Sequence, residues 1–85
     1  MRYRIEFTKS AERDLGALPA AALKRVDALI LPLAENPRPN GATKLSGVDH
    51  VYRIRVCDYR IVCEIQDVAI VVTIIRVRHR RDVYR

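Results

Sequence analysis

With 85 residues, 49% of them hydrophobic, the chain can build one small core and is too apolar to be a disordered segment. Lys and Arg outnumber Asp and Glu by 16 to 10, and the net charge of +6 favours a polyanion or an acidic protein segment as partner. No apolar run reaches the ~18 residues of a membrane span. The opening Met1-Arg-Tyr-Arg leads into a strand pattern, not the apolar stretch of a signal peptide, so one domain over 1–85 in the cytoplasm is expected.

Residues 2–7 alternate and predict a first strand that buries Tyr3, Ile5 and Phe7. Thr8 suits the cap of a helix whose early turns carry Glu12 and Asp14, with Ala11, Leu15 and Leu18 on its apolar face. Gly16 weakens the end of that helix, and Pro19 suits the first turn of a second. There Leu23, Val26, Ile30 and Leu33 form the apolar stripe while Lys24, Arg25 and Asp27 face out. Pro32 conflicts with a regular helix, at a cost of about 3 kcal/mol, so the helix should loosen near 28–31 and finish in a short turn before Asn36. The stretch Asn36-Pro-Arg-Pro-Asn-Gly is a loop that leads through Lys44 into the second half.

Residues 52–65 alternate apolar and charged with period two. If Cys57-Asp58 is a two-residue loop, Val56 pairs with Tyr59, Arg55 with Arg60 and Ile54 with Ile61. Tyr52, Ile54, Val56, Tyr59, Ile61, Cys63 and Ile65 then share a dry face, and Arg53, Arg55 and Arg60 a wet one. Like charges directly opposite cost a few tenths to ~1 kcal/mol. Either an acid such as Glu64 offsets them or the face holds an anion. In this register Cys57 and Cys63 lie ~13–16 Å apart at ~3.3 Å per residue, too far for a disulfide. Neither cysteine has the neighbours a zinc site needs, so no metal and no cofactor is expected. A last strand over 68–77 is apolar on both faces, as suits a strand covered on both sides. The order is β-α-α-β-β-β, an α+β fold with a mostly antiparallel sheet and a helical hairpin packed on one face.

Residues 76–85 hold five arginines against Asp82, so +4 of the net charge lies in the last ten residues. A solubilising tail is the plainer reading of such a run, and a polyanion site the sharper one. Its place beside the arginine face can deliver Arg78, His79, Arg80, Arg81 and Tyr84 to the rim of that face. Cleavage of RNA by its own 2′-hydroxyl needs a base, cations around the phosphorane and an acid for the leaving 5′-oxygen. Arginines supply the cations, as permanently charged planar forks matched to phosphate oxygens. They are poor bases. Histidine is the side chain whose ordinary range lies nearest neutrality, which makes His79 a candidate proton carrier, and Tyr84 can stack on a base or pack back on the sheet.

Three tracts together resemble the RelE/ParE toxin superfamily in its RelE branch. They are Lys44-Leu-Ser-Gly, Tyr52-Arg-Ile-Arg-Val-Cys-Asp-Tyr-Arg-Ile-Val-Cys-Glu-Ile, and Arg76-Val-Arg-His-Arg-Arg-Asp-Val-Tyr. The resemblance covers essentially the whole chain. It implies a metal-independent endoribonuclease toxin of a type II toxin–antitoxin pair that cuts mRNA in the ribosomal A site. It also implies restraint by a cognate antitoxin, with operator DNA contacted only through that antitoxin. Arg60 matches the phosphate-stabilising arginine, Arg80 or Arg81 the arginine proposed as general acid, and Tyr84 the substrate-orienting tyrosine. Arg53 and Arg55 stand where the best-known members have lysines, which leaves His79 or Tyr84 as candidate base. Lys44, Arg53, Arg55, Arg76 and Arg78 complete the expected RNA- and phosphate-binding set. Cys57 and Arg78 replace common glycines, which points to a longer or different hairpin loop and a different exit for the tail. The alternatives are a non-enzymatic gyrase inhibitor like the ParE branch and an RNA-binding relative with weakened catalysis.

Overall fold

A computed structural model describes residues 2–45 and 47–79. The chain runs β1 (Arg4–Phe7), α1 (Lys9–Gly16), α2 (Ala20–Ile30), a 3-10 turn (Leu31–Ala34), β2 (Thr43–Lys44), β3 (Val51–Val56), β4 (Tyr59–Gln66) and β5 (Val71–His79). The five strands lie in the order β1-β5-β4-β3-β2, antiparallel except for the parallel pair β1 and β5. The expected α+β order holds, with β2 as an addition. Those two residues, expected in the loop before the hairpin, pair with Arg53 and Tyr52.

The helices begin and end where the side chains dictate. The Thr8 hydroxyl caps α1 by accepting from the Ala11 N–H at 3.1 Å. Pro19 precedes α2, and its carbonyl accepts the Leu23 N–H at 2.9 Å. Pro32 has no N–H to give the preceding turn, so α2 stays regular to Ile30 and then tightens to 3-10 geometry instead of kinking.

One face of the sheet packs on the helices. Ala11, Val26, Ile30 and Leu33 from the helical half meet Ile54, Ile61, Cys63, Ile65, Val72, Ile74 and Val77 from the strands. Burying each isoleucine or leucine contributes about 1.5–3 kcal/mol. The predicted dry face of the hairpin is this face, with Val56 and Tyr59 half-buried at its tip.

Two strand expectations need correction. The last strand begins at Val71 instead of residue 68. Residues 67–70 form the turn after β4, closed by the Ile70 N–H on the Asp67 carbonyl at 3.3 Å, and Val68 is fully exposed. Phe7 is 41% exposed and not buried, because β1 is an edge strand and Phe7 stands at its end, where the chain turns into α1.

Candidate functional site

The site is built on the sheet face turned away from the helices. Val56 pairs with Tyr59, Arg55 with Arg60 and Ile54 with Ile61, the register that the alternation requires. Cys57 opens the two-residue loop with φ 52°, a left-handed conformation that glycine adopts more readily, so the hairpin keeps its short turn without one. Across the next ladder Arg60 pairs with Arg78. Arg55, Arg60 and Arg78 therefore form one row over three neighbouring strands, ~4.8 Å from strand to strand. Arg53 sits in the adjacent row, opposite Val62.

The same face is acidic at its other end. Glu64 and Glu6 lie on either side of Thr73, and Glu64 accepts from the Gln66 side-chain amide at 3.4 Å. Glu6 pairs with Arg4 at 3.0 Å. Glu64 sits four residues along β4 from Arg60, roughly 13 Å at the usual strand rise. The acid expected to offset the arginine row belongs instead to this second cluster.

The other predicted residues are placed elsewhere. Lys44 is opposite Tyr52 and so takes the helix-side face of the edge strand β2. Arg76 is held by Asp14 of α1, its Nε donating to Oδ2 at 2.9 Å. His79 pairs with Tyr59 and meets that ring edge-on, centroids 5.1 Å apart, on the side of the sheet opposite the arginine row. With Asp14, Leu18 and Pro19 these two rings line a shallow cavity of about 260 Å³ at the sheet's end. Arg80, Arg81 and Tyr84 lie outside the described residues. Among the described residues no cluster of His, Cys, Asp or Glu suits a metal ion.

A second polar cluster was not foreseen in the sequence. Arg38 grips Asp67 with both guanidinium nitrogens, at 3.1 and 2.8 Å, and the Tyr3 hydroxyl donates to the same carboxylate at 2.7 Å. The Arg38 guanidinium also lies 5.0 Å from the centre of the Tyr52 ring. Asp67 is pulled down to about 2 by the Arg38 and Tyr3 hydrogen bonds, and Tyr3 is pushed up by donating to that charge. The available signal was Arg38 between two prolines, which restrict the backbone on either side of it.

Residues 5–84 match the sequence profile of the ParE toxin of type II toxin–antitoxin systems, parDE. The chain belongs to the RelE/ParE toxin superfamily. This RelE-like toxin is 34% identical over 86 residues to the toxin RelG of Mycobacterium tuberculosis, covering 100% of this chain and 99% of RelG. Its fold superposes on the toxin–antitoxin complex RelBE2 of M. tuberculosis with a TM-score of 0.81 and 30% identity, over 93% of this chain and 99% of that one. The archaeal RelE–RelB complex of Pyrococcus horikoshii gives a TM-score of 0.83 and 28% identity, over 94% and 97%. Among the described residues no helix is long and apolar enough to cross a membrane.

Proposed function

We propose that this RelE-like toxin is a ribosome-dependent endoribonuclease that cleaves mRNA by attack of a 2′-hydroxyl on the adjacent phosphate. The observation that carries the reading is the row Arg55–Arg60–Arg78 with Arg53 beside it. Three guanidinium groups in register concentrate positive charge where a phosphodiester can lie across them. A phosphodiester passing to a phosphorane gains negative charge at that point, and arginines fixed on a sheet need little reorganisation to stabilise it. Arg60, central in the row, contacts the reacting phosphate; Arg53, Arg55 and Arg78 hold the flanking backbone. Proton transfer falls to the tail, with Arg80 or Arg81 as acid, Tyr84 orienting the substrate, and Tyr84 or His79 as base. His79 stands across the sheet from the row, which favours Tyr84 over His79.

The natural partner is a cognate antitoxin, as in the RelE–RelB complexes to which the fold is similar. A partner with acidic and apolar segments complements the basic surface. The complex would meet operator DNA through the antitoxin, in the cytoplasm where mRNA is found.

Induced expression should stop translation and leave codon-linked cuts in mRNA, and Arg60→Ala should relieve both. Arrest that persists in Arg60→Ala with no cut mRNA sinks the proposal. Because the matching profile is that of ParE, gyrase inhibition by binding is the second reading. Loss of supercoiling activity on addition of the purified toxin would establish it.

A further inference from the structure

Strand β5 changes register once against β4. On one side of the change Cys63 lies opposite Ile74, and on the other Val62 lies opposite Arg76, so Ile75 is the extra residue of a β-bulge. A one-residue slip exchanges the faces of every side chain beyond it. Were the ladder continued without the bulge, Arg60 would meet Val77 and Tyr59 would meet Arg78. A guanidinium would then enter the helix-side face, and a valine would interrupt the arginine row. With the bulge, Arg78 stands beside Arg60 and Val77 is buried in the core. The third member of the row is therefore a product of the bulge.

Helix α1 grips that bulge. Strand β1 ends at Phe7, opposite Ile74, so no strand flanks the outer edge of β5 from Ile75 onward. Main-chain polar groups need partners there. Thr8 supplies two, its N–H donating to the Ile74 carbonyl at 3.0 Å and its hydroxyl to the Ile75 carbonyl at 2.8 Å. Asp14 supplies a third. Its Oδ2 accepts the Val77 N–H and the Arg76 Nε, each at 2.9 Å, and Oδ1 accepts from the terminal Nη2 of Arg76 at 3.4 Å. The Asp14 side chain is only 17% exposed, unlike a helix acid whose task is solubility.

We propose that Asp14 is a positioning residue that locks the β5 bulge through Arg76 and the Val77 amide, and so sets Arg78 in the phosphate-binding row. The use of Arg78 rests on the RNA-cleaving reading; the control of register by Asp14 does not.

Two measurements on the purified toxin test the two parts separately. In Asp14→Ala, NMR should show the Arg60–Arg78 and Tyr59–His79 cross-strand contacts weakened, and the Val77 amide exchanging about tenfold faster or more. Unchanged pairing and unchanged Val77 exchange overturn the proposal whether or not the protein cuts RNA. Should Asp14→Ala not fold, Asp14→Asn keeps an oxygen for Val77 but loses the charge that holds Arg76. Val77 exchange should then accelerate a few-fold while amides on the β3–β4 ladder hold, and equal protection at Val77 again overturns it. In the ribosomal cleavage assay, Asp14→Ala and Arg78→Ala should each lower activity about tenfold, through KM more than kcat if Arg78 holds flanking phosphate. The double variant should be no worse than Arg78→Ala alone, because Asp14 acts through Arg78. Additive losses would reject that route.

Discussion

Arginines at the two ends of this sheet are used in opposite ways. At the end near the β4–β5 turn, Arg38 meets a carboxylate with both nitrogens, lies over an aromatic ring and sits between two prolines. Its charge is matched, and the result is a clasp joining the loop of residues 36–42 to the turn of residues 67–70. At the hairpin end, Arg55, Arg60 and Arg78 are ranged beside one another, while Glu6 and Glu64 flank Thr73 farther along the same face. The first arrangement contributes to folding, and the second concentrates positive charge on one patch of the face. Arg76 falls between the two. It follows the bulge within β5, yet Asp14 takes it into the scaffold, and so it serves structure two residues before Arg78 of the row.

The contrast is broken most sharply at Arg60. Removing one preorganised charge from a transition state typically lowers rate by ~10²–10³-fold, and Arg60→Ala should do so in ribosomal mRNA cleavage. Arg55→Thr should separate stability from function. It removes a like charge directly opposite Arg60 and installs a good strand former, so thermal unfolding should show a gain of a few tenths to ~1 kcal/mol while RNA affinity falls. A variant that loses stability here would show that the row is held by something other than its ligand.

At the other end the signs reverse. Arg38→Ala should lower the melting temperature by a few degrees and leave the arginine row in place, because the clasp joins Arg38 to Tyr3, Tyr52 and Asp67 at the far end of the sheet. A fall in cleavage as large as that of Arg60→Ala would mean that the two ends are coupled.

How much of this was legible follows from what kind of pattern each feature leaves. The hairpin register was, since a strict period of two and a two-residue gap admit one pairing that keeps Ile54 and Ile61 dry. The start of β5 was not. Residues 68–75 are almost all apolar, and the turn that interrupts them carries neither glycine nor proline. It closes through Ile70 at φ 56°, a conformation a β-branched residue rarely takes. Arg38 anchors that turn through Asp67 from a loop 29 residues away in sequence, out of reach of local pattern. The bulge left one trace, the adjacent Ile74 and Ile75 before the charges resume, but in a strand apolar on both faces two isoleucines in a row carry no register. The tail was expected at the rim of the arginine face as a whole; strand alternation after the bulge puts Arg78 in the row and His79 beside Tyr59 instead.

Acid should sharpen the comparison further. Asp67 titrates at about 2 in the folded chain against an ordinary value of 3.8, so folding favours its charged form. The unfolded chain takes up the proton first as pH falls. The stabilisation is complete above about pH 4 and drains away between about pH 4 and pH 2. Asp67→Asn should flatten that limb of the stability–pH curve, as should Arg38→Ala, whereas Arg55→Thr should leave it unchanged. A curve equally steep in Asp67→Asn would assign the acid limb to other carboxylates.

The smallest effect separates the two cysteines, which sit in the same hairpin with opposite surroundings. Cys57 is exposed at the tip, with an Arg25 nitrogen 3.9 Å from its sulfur, and Cys63 is fully buried against the helices. Burial pushes the Cys63 thiol up to about 11. A thiolate-specific reagent at neutral pH should therefore modify one thiol per chain in the native protein and two after denaturation. Because the folded chain holds the Cys63 proton more tightly than the unfolded one, stability should decline from about pH 9 and stop declining near pH 11. Cys63→Ala removes that alkaline limb at the cost of a small cavity. If two thiols react in the native state at comparable rates, the hairpin opens from the helices far more readily than its buried face implies.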